Sequence, residues 1–363
     1  MDGRRQDRKT QIVIRLIQDL FEIGTITNLG CELVLTLHYR FEPSWSLKLV
    51  SERLATAGYT FTVDERDEDI LLTINPRPRL KIPLLNIVMF LLTLVSVYFV
   101  SMYARYELGG AAEPLTDTLA ALKRGEGIMF TLALISILFV HEMGHFIASR
   151  RRGIATSWPY FIPAPNLIGT FGAIIKSKSP FWNRRDLIEV GAAGPIAGWI
   201  IAVGWLWYGL TQSVVLSPDA LTPGMIPFSL TGESILMRLT TLSLIGPAPT
   251  GYVYILSEAA FAGWVGLLVT AINLLPIGQL DGGHILYGLG RRLQHRFGIA
   301  AIAILLALGF LSPMWWIFAL FLFIFGIKHP PTMNDQIRPS RTATWMAVVS
   351  IIIMIVSFTP KPF

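Results

Sequence analysis

The sequence predicts an all-α polytopic membrane protein of about six to seven transmembrane helices, preceded by a small cytosolic α+β module. Of its 363 residues, 53% are hydrophobic and only 15% are charged, whereas a soluble domain carries about 25% charged residues. Long apolar segments follow one another after residue 82, while the first 80 residues mix polar and apolar positions. Lipid is therefore expected to cover much of the chain after residue 82.

The first 80 residues carry the patterns of a small soluble unit. CELVLTLHYRF (31–41) alternates like a strand, PSWSLKLVSERLATAGY (43–59) has helical spacing with a glycine stop, and FTVDERDEDILLTINP (61–76) is typical of a strand pair. The chain begins with polar residues and has no early apolar run, so no signal peptide is expected. The single cysteine, Cys31, excludes an intramolecular disulfide framework and a multi-cysteine metal site.

Apolar segments long enough to be considered as membrane spans fill the rest of the chain, because a span takes about 20 residues. The candidates are residues 82–104, 127–149, 186–210, 256–276, 297–311, 313–328 and 342–358. The fifth and sixth are short and resemble a helical hairpin turned at Ser312-Pro313. We predict a module at 1–80, a membrane core at 82–330 and an extra C-terminal transmembrane segment at 331–363.

The distribution of basic residues predicts the orientation of these spans. Lysines and arginines are concentrated in 150–185, after the fourth span and after the sixth, whereas the loop 211–255 contains only Arg238. Basic connections stay in the cytoplasm, which places the N-terminus inside. The loop 105–126 departs from this rule, with Arg105, Lys123 and Arg124 on the outer side. Because the net charge of +6 follows the ends of apolar segments, nucleic acid is not an expected partner.

The motif HEMGH lies at the end of an apolar run. On a helix, His141 and His145 are four residues apart and share one face, so both imidazoles can reach one Zn²⁺. Glu142 points off that face and stays free to accept a proton from water. The alternative is a buried polar pair that is satisfied by backbone carbonyls.

A second motif offers the third ligand that a catalytic zinc requires beside an open position. In NLLPIGQLDGG (273–283), Pro276 breaks the fourth span, and Asp281 is the only carboxylate. Irregular backbone at membrane depth is tolerated where it lines a protein cavity or water. The alternative for Asp281 is an N-cap of the helix that follows it.

HEMGH followed by Asn273-x-x-Pro276-x-x-x-x-Asp281-Gly282 resembles the site-2 protease family of intramembrane metalloproteases, in its branch from cyanobacteria and plastids without a PDZ domain. The likeness covers about residues 82–330. It implies one Zn²⁺ per chain held by His141, His145 and Asp281, with Glu142 as general base. Asn273 would hydrogen-bond the substrate backbone or the oxyanion, although it could instead bond a carbonyl of the broken helix.

The resemblance also implies the function: a zinc endopeptidase that cleaves transmembrane protein substrates in the bilayer. We expect it in a bacterial plasma (inner) membrane, with the active-site opening cytoplasmic. The segment 170–176 has strand character and could pair with an unwound substrate, or it could be a connecting hairpin. Residues 232–246 are amphipathic enough for an interfacial helix. A non-proteolytic metal-binding or transport protein is the alternative, but there is no internal repeat.

Overall fold

The structure is a computed structural model that describes residues 2–29, 32–66, 69–76, 82–152, 154–177, 181, 183–228, 232–332 and 334–362. Cys31 and residues 77–81 lie outside the described residues. Contacts divide the chain into two units. The first comprises Met1–Ile82 with Ser149–Thr156 and Ser177–Trp182, and the second contains the rest.

The N-terminal part of the first unit is a four-stranded antiparallel sheet with two helices. Its elements in chain order are α1 (Asp2–Ile17), β1 (Phe21–Leu29), β2 (Glu32–Tyr39), α2 (Pro43–Thr56), β3 (Tyr59–Arg66) and β4 (Asp69–Pro76). The strands lie in the order β1-β2-β4-β3. Every second residue of β2 is buried (Leu33, Leu35 and Leu37), and these side chains join residues of both helices in one core.

The sequence analysis found β2, α2, β3 and β4 but missed α1 and β1. The first helix begins with a polar stretch, and only Val13 and Ile17 of its apolar residues are fully buried. β1 is an edge strand that pairs only with β2 within the described sheet and is exposed over most of its length. An exposed edge strand needs no regular apolar alternation, and so it leaves a weak pattern in the sequence.

The remainder of the chain is mostly helical. Its helices are α3 (Leu84–Leu108), α4 (Pro114–Lys123), α5 (Ile128–Arg151), α6 (Arg184–Thr211), α7 (Ile235–Leu244), α8 (Glu258–Asn273), α9 (Asp281–Leu289), α10 (Arg291–Leu308), α11 (Met314–Phe325) and α12 (Arg341–Ser357), with a 3₁₀ turn at Pro218–Ala220. Two short antiparallel pairs join β5 (Tyr160–Pro163) to β6 (Thr170–Ile174) and β7 (Val214–Leu216) to β8 (Val253–Ile255).

Each predicted span contains a helix, but the structure supports fewer spans than the sequence analysis did. Among the described residues, α3, α5 and α6 are long and apolar enough to cross a membrane. The helices α8, α11 and α12 are apolar but have only 16, 12 and 17 residues. At about 1.5 Å per residue, none of them covers about 30 Å of hydrocarbon when it stands alone. The predicted count is not confirmed, because hydropathy includes apolar turn residues, such as Leu274 and Pro276, that are not helical.

The helix α6 lies at the centre of this bundle and packs against α8, α9 and α12. Small residues allow α6 and α8 to approach closely. A Cβ added at Gly263 of α8 would lie 2.5 Å from the backbone nitrogen of Leu206, and one at Gly266 would lie 2.9 Å from the Cβ of Ala202. This packing is typical of membrane helices, where small residues let backbones come together. It brings α6 beside the end of α8 that precedes Asp281.

Candidate metal centre

The helix α5 carries the HEMGH motif near its C-terminal end. His141 and Glu142 are buried, with 5% and 7% of their surfaces exposed. The helical repeat places His145 on the same face as His141, and the two rings are 4.9 Å apart. Polar side chains in so apolar a helix require partners in the protein.

A tight turn after α8 brings Asp281 to these histidines. The helix ends at Asn273, and α9 begins at Asp281. Gly282 and Gly283 leave no space for a side chain, because a Cβ at either position would overlap backbone carbonyls of residues 274–278. The N-cap of α9 is Leu280, not Asp281, and no side chain caps this end of α9. The alternative interpretation of Asp281 as an N-cap is therefore not what the structure shows.

Three side-chain atoms from the two motifs form a nearly equilateral triangle. The Nε2 atoms of His141 and His145 are 3.2 Å apart, and each lies 3.3 Å from Oδ2 of Asp281. Tetrahedral ligands about 2.0–2.1 Å from Zn²⁺ are separated by about 3.3 Å. Hydrogen bonds alone would not account for these three close contacts, because each neutral imidazole has only one N–H to donate. The spacing and the chemistry of these donors fit a zinc ion.

The backbone of α6 orients one of the two imidazoles. Nδ1 of His145 lies 2.8 Å from the carbonyl oxygen of Val190. In a neutral ring, this nitrogen donates its hydrogen to the carbonyl, so Nε2 keeps a lone pair directed at the triangle. Histidines that bind metals are commonly held by such a bond from their second nitrogen.

Three glycines of α6 make room for the motif residues. A Cβ at Gly194 would overlap the imidazole of His145, and one at Gly198 would lie 2.9 Å from the Cβ of His141. At Gly191 it would lie 2.9 Å from the Cβ of His284. The four-residue spacing of Gly194 and Gly198 in the sequence is typical of helix packing. The structure shows that the helix they pack against is the one that carries HEMGH, a partner that no local pattern identifies.

The segment after α11 holds the helix that begins with Asp281. His284 lies 2.5 Å from His329 through Nδ1 and Nε2, and the Tyr287 hydroxyl donates to Asp335 at 2.6 Å. Burial alone would raise the pKa of Asp335, but hydrogen bonds from Thr332 and Tyr287 outweigh it and keep the pKa below its ordinary value. Sequence reasoning did not predict these partners, because they lie about 45 residues apart along the chain.

Asn273 is the last residue of α8, at the start of the same turn. The structure thus brings the two HEMGH histidines to Asp281 and places Asn273 at the start of the turn that leads to Asp281. His284 pairs with His329 outside the triangle formed by the three ligand atoms. The predicted strand segment also forms, as β6, and a helix forms within the predicted amphipathic segment 232–246, as α7.

Comparisons with known proteins agree with this architecture. Peptidase family M50 matches residues 129–312. The chain is 31% identical over 252 residues, 68% of its length, to a protein named probable zinc metalloprotease EGY2, chloroplastic, from Oryza sativa subsp. indica. It is 33% identical over 236 residues, 63% of its length, to probable zinc metalloprotease EGY1, chloroplastic, from Arabidopsis thaliana. The matches cover 45% and 42% of those relatives. No solved structure matches.

These relatives correct one expectation from the sequence. Their names place them in chloroplasts, so the comparisons do not support the expected bacterial plasma membrane. They agree with the predicted plastid-type branch. With half of its length matched by one family and two thirds aligned to a relative more than 30% identical, the chain belongs to peptidase family M50, the site-2 protease family.

Proposed function

We propose that this chain is a zinc endopeptidase that hydrolyses peptide bonds within or next to transmembrane helices of its substrates. The observation that carries this proposal is the donor triangle of His141, His145 and Asp281, with buried Glu142 beside it on an apolar helix. Both the family and the names of the relatives support zinc and proteolysis. The plastid names of those relatives favour a membrane of plastid type as the location.

Each residue of the site has a role in this reaction. The two histidines and Asp281 would hold one Zn²⁺, which lowers the pKa of water and polarises a scissile carbonyl. The Glu142 carboxylate takes the proton of the attacking water and returns it to the leaving amine. The Asn273 amide donates a hydrogen bond to the substrate backbone or to the developing oxyanion.

The strand β6 is the part of the chain best suited to receive a substrate. It pairs only with β5 within the described residues. Both backbone groups of Gly172 already bond the Thr170 hydroxyl, so a substrate strand would have to displace these local bonds or use the neighbouring groups of the other edge. Phe171 and Ile174 are 72% and 56% exposed. An unwound transmembrane segment has unpaired amides that are costly in lipid, and pairing with β6 would satisfy them. The remaining alternative is that this pair of strands only connects α5 to α6.

The orientation proposed from the sequence leaves three basic residues, Arg105, Lys123 and Arg124, in the outer loop. The loop 105–126 departs from the positive-inside rule, but two of its three basic residues have acidic partners. Arg105 lies 3.1 Å from Glu258, and Arg124 lies 2.8 Å from Glu126. The positive-inside rule counts lysines and arginines rather than net charge, so these pairs do not remove the exception, and the proposed orientation rests on the other connections.

The orientation predicts opposite labelling at two exposed positions. In a Cys31→Ser background, Asp219→Cys lies in the outer loop and Gln336→Cys in a connection assigned to the cytoplasm. A membrane-impermeant thiol reagent should label the first in sealed membranes of known sidedness and the second only after permeabilisation. The reverse pattern would invert the topology.

Removing Asp281 should remove the metal. Wild type should contain about one zinc per chain, whereas Asp281→Ala should bind zinc at least about 100-fold more weakly, since loss of an outer-shell partner alone costs about 10- to 100-fold. Zinc would be measured by elemental analysis and by competition with a chromophoric chelator. The control is Asp219→Ala, which deletes an exposed carboxylate outside the site. Full occupancy in Asp281→Ala would exclude this residue from the ligand set.

A further inference from the structure

We propose that Glu258 is a positioning residue that sets the axial position of the HEMGH helix α5 against α8. The inference rests on the proposed function. It assigns to Glu258, at the opposite end of the bundle, a role in positioning the metal ligands. No motif in the sequence singles out Glu258.

The Glu258 carboxylate caps a helix other than its own. It belongs to the first turn of α8, where the Ser257 hydroxyl already accepts the N-cap hydrogen bond from the backbone N–H of Ala260. Its Oε1 accepts from the backbone N–H of Gly127 at 2.6 Å, and its Oε2 lies 3.4 Å from the backbone nitrogen of Phe130. The first N–H groups of a helix have no partners within that helix, and α5 has no acidic residue in its own first turn. Glu258 thus supplies the carboxylate that α5 lacks.

A third helix holds the carboxylate in place. Arg105, near the end of α3, donates to Glu258 Oε1 at 3.1 Å and to the carbonyl of Gly224 at 3.1 and 2.6 Å. The side chains of Arg105 and Glu258 are only 17% and 20% exposed. Gly127 has a φ of +85°, and a Cβ there would lie 2.7 Å from Met102. The Glu258 carboxylate is therefore held by contacts with α3 and with the start of α5, and the positive φ at position 127 favours glycine there.

Of the two helices joined by Glu258, α5 carries His141 and His145 toward its other end, and α8 leads from its other end into the turn that reaches Asp281 at the start of α9. From Ile128 to His141, α5 extends for about 20 Å, and from Glu258 to Asn273, α8 extends for about 22 Å. Helices move as stiff bodies, so a shift of α5 along its axis at the Glu258 contact would also displace the residues at the site. Such a slip would move His141 and His145 together relative to Asp281 and leave their mutual distance unchanged. Displacements of about 1 Å at a catalytic site can cost about 10²-fold in rate.

The test compares zinc binding in Glu258→Ala, Glu258→Gln and the control Glu126→Ala. Glu126 lies at the same end of the bundle, but its carboxylate contacts Tyr106 and Arg124 rather than the amides of α5. Zinc affinity would be measured on the purified full-length chain by chelator competition, with thermal unfolding of the metal-free protein recorded in parallel. We expect about tenfold weaker zinc binding in Glu258→Ala, a smaller loss in Glu258→Gln, whose amide oxygen still accepts one N–H, and none in the control.

A double substitution separates positioning from general destabilisation. In an Asp281→Ala background only the two histidines of α5 remain as donors, so adding Glu258→Ala should weaken the residual zinc binding by less than about twofold. Wild-type zinc affinity in both Glu258 variants, whatever their unfolding temperatures, would overturn the inference, as would an undiminished effect in the Asp281→Ala background. If Glu258→Ala does not fold, Glu258→Gln decides. A wild-type chain without zinc affinity would instead overturn the proposed function itself.

Discussion

Glu142→Gln should abolish most peptide hydrolysis and leave zinc bound. We expect turnover to fall by about 10²–10⁴-fold, the usual contribution of a positioned general base. Glutamine has nearly the same shape as glutamate, so the buried position, with 7% of its surface exposed, keeps its packing. Because Glu142 is not one of the three donors within 4.8 Å of one another, its replacement should not weaken the metal site.

The measurement is cleavage of a reporter with a single transmembrane helix, reconstituted with the purified chain in liposomes, beside zinc analysis of the same samples. Glu126→Gln is the matched control, since it makes the same exchange at a carboxylate that pairs with Arg124. Turnover close to wild type in Glu142→Gln would refute the assignment of the base and of the protease activity. Loss of zinc would instead show that Glu142 belongs to the ligand set.

The part of this site that local periodicity determines could be predicted from the sequence. The spacing of His141 and His145 determines their shared face once α5 is a helix, and the structure confirms that geometry. Asp281 could be predicted because zinc chemistry asks for a third ligand and the broken segment offers only one carboxylate. The ligand roles stay predictions until the metal is measured.

Features that depend on the packing of distant segments could not be predicted. Gly194 and Gly198 fit a general rule for membrane helices, but only the structure shows which helix they face. Glu258 caps a helix about 130 residues before it. The ends of the helices could not be predicted for a related reason. Hydropathy depends on composition, whereas the end of a helix depends on backbone conformation, as at the turn between Asn273 and Asp281.

Gly194→Ala is expected to damage the metal site more than any other single-methyl change on α6. The added Cβ would overlap the imidazole of His145, whose Nδ1 is held by the Val190 carbonyl. Either the ring rotates away and breaks that bond, or α6 separates from α5. Overpacking of this kind costs about 1–3 kcal/mol. Because the displaced atom is a proposed ligand, we expect zinc affinity to fall by about tenfold or more.

Gly204→Ala is the matched control on the same helix. A Cβ at Gly204 meets no atom within 4 Å, so this change should leave zinc affinity intact. Alanine is also favoured over glycine inside a helix by about 0.5–1 kcal/mol, so the control should be at least as stable as wild type. Chelator competition and thermal unfolding of both variants would separate the two effects. Equal zinc affinity in Gly194→Ala and Gly204→Ala would show that α6 does not confine His145 and that the glycine spacing reflects helix packing alone.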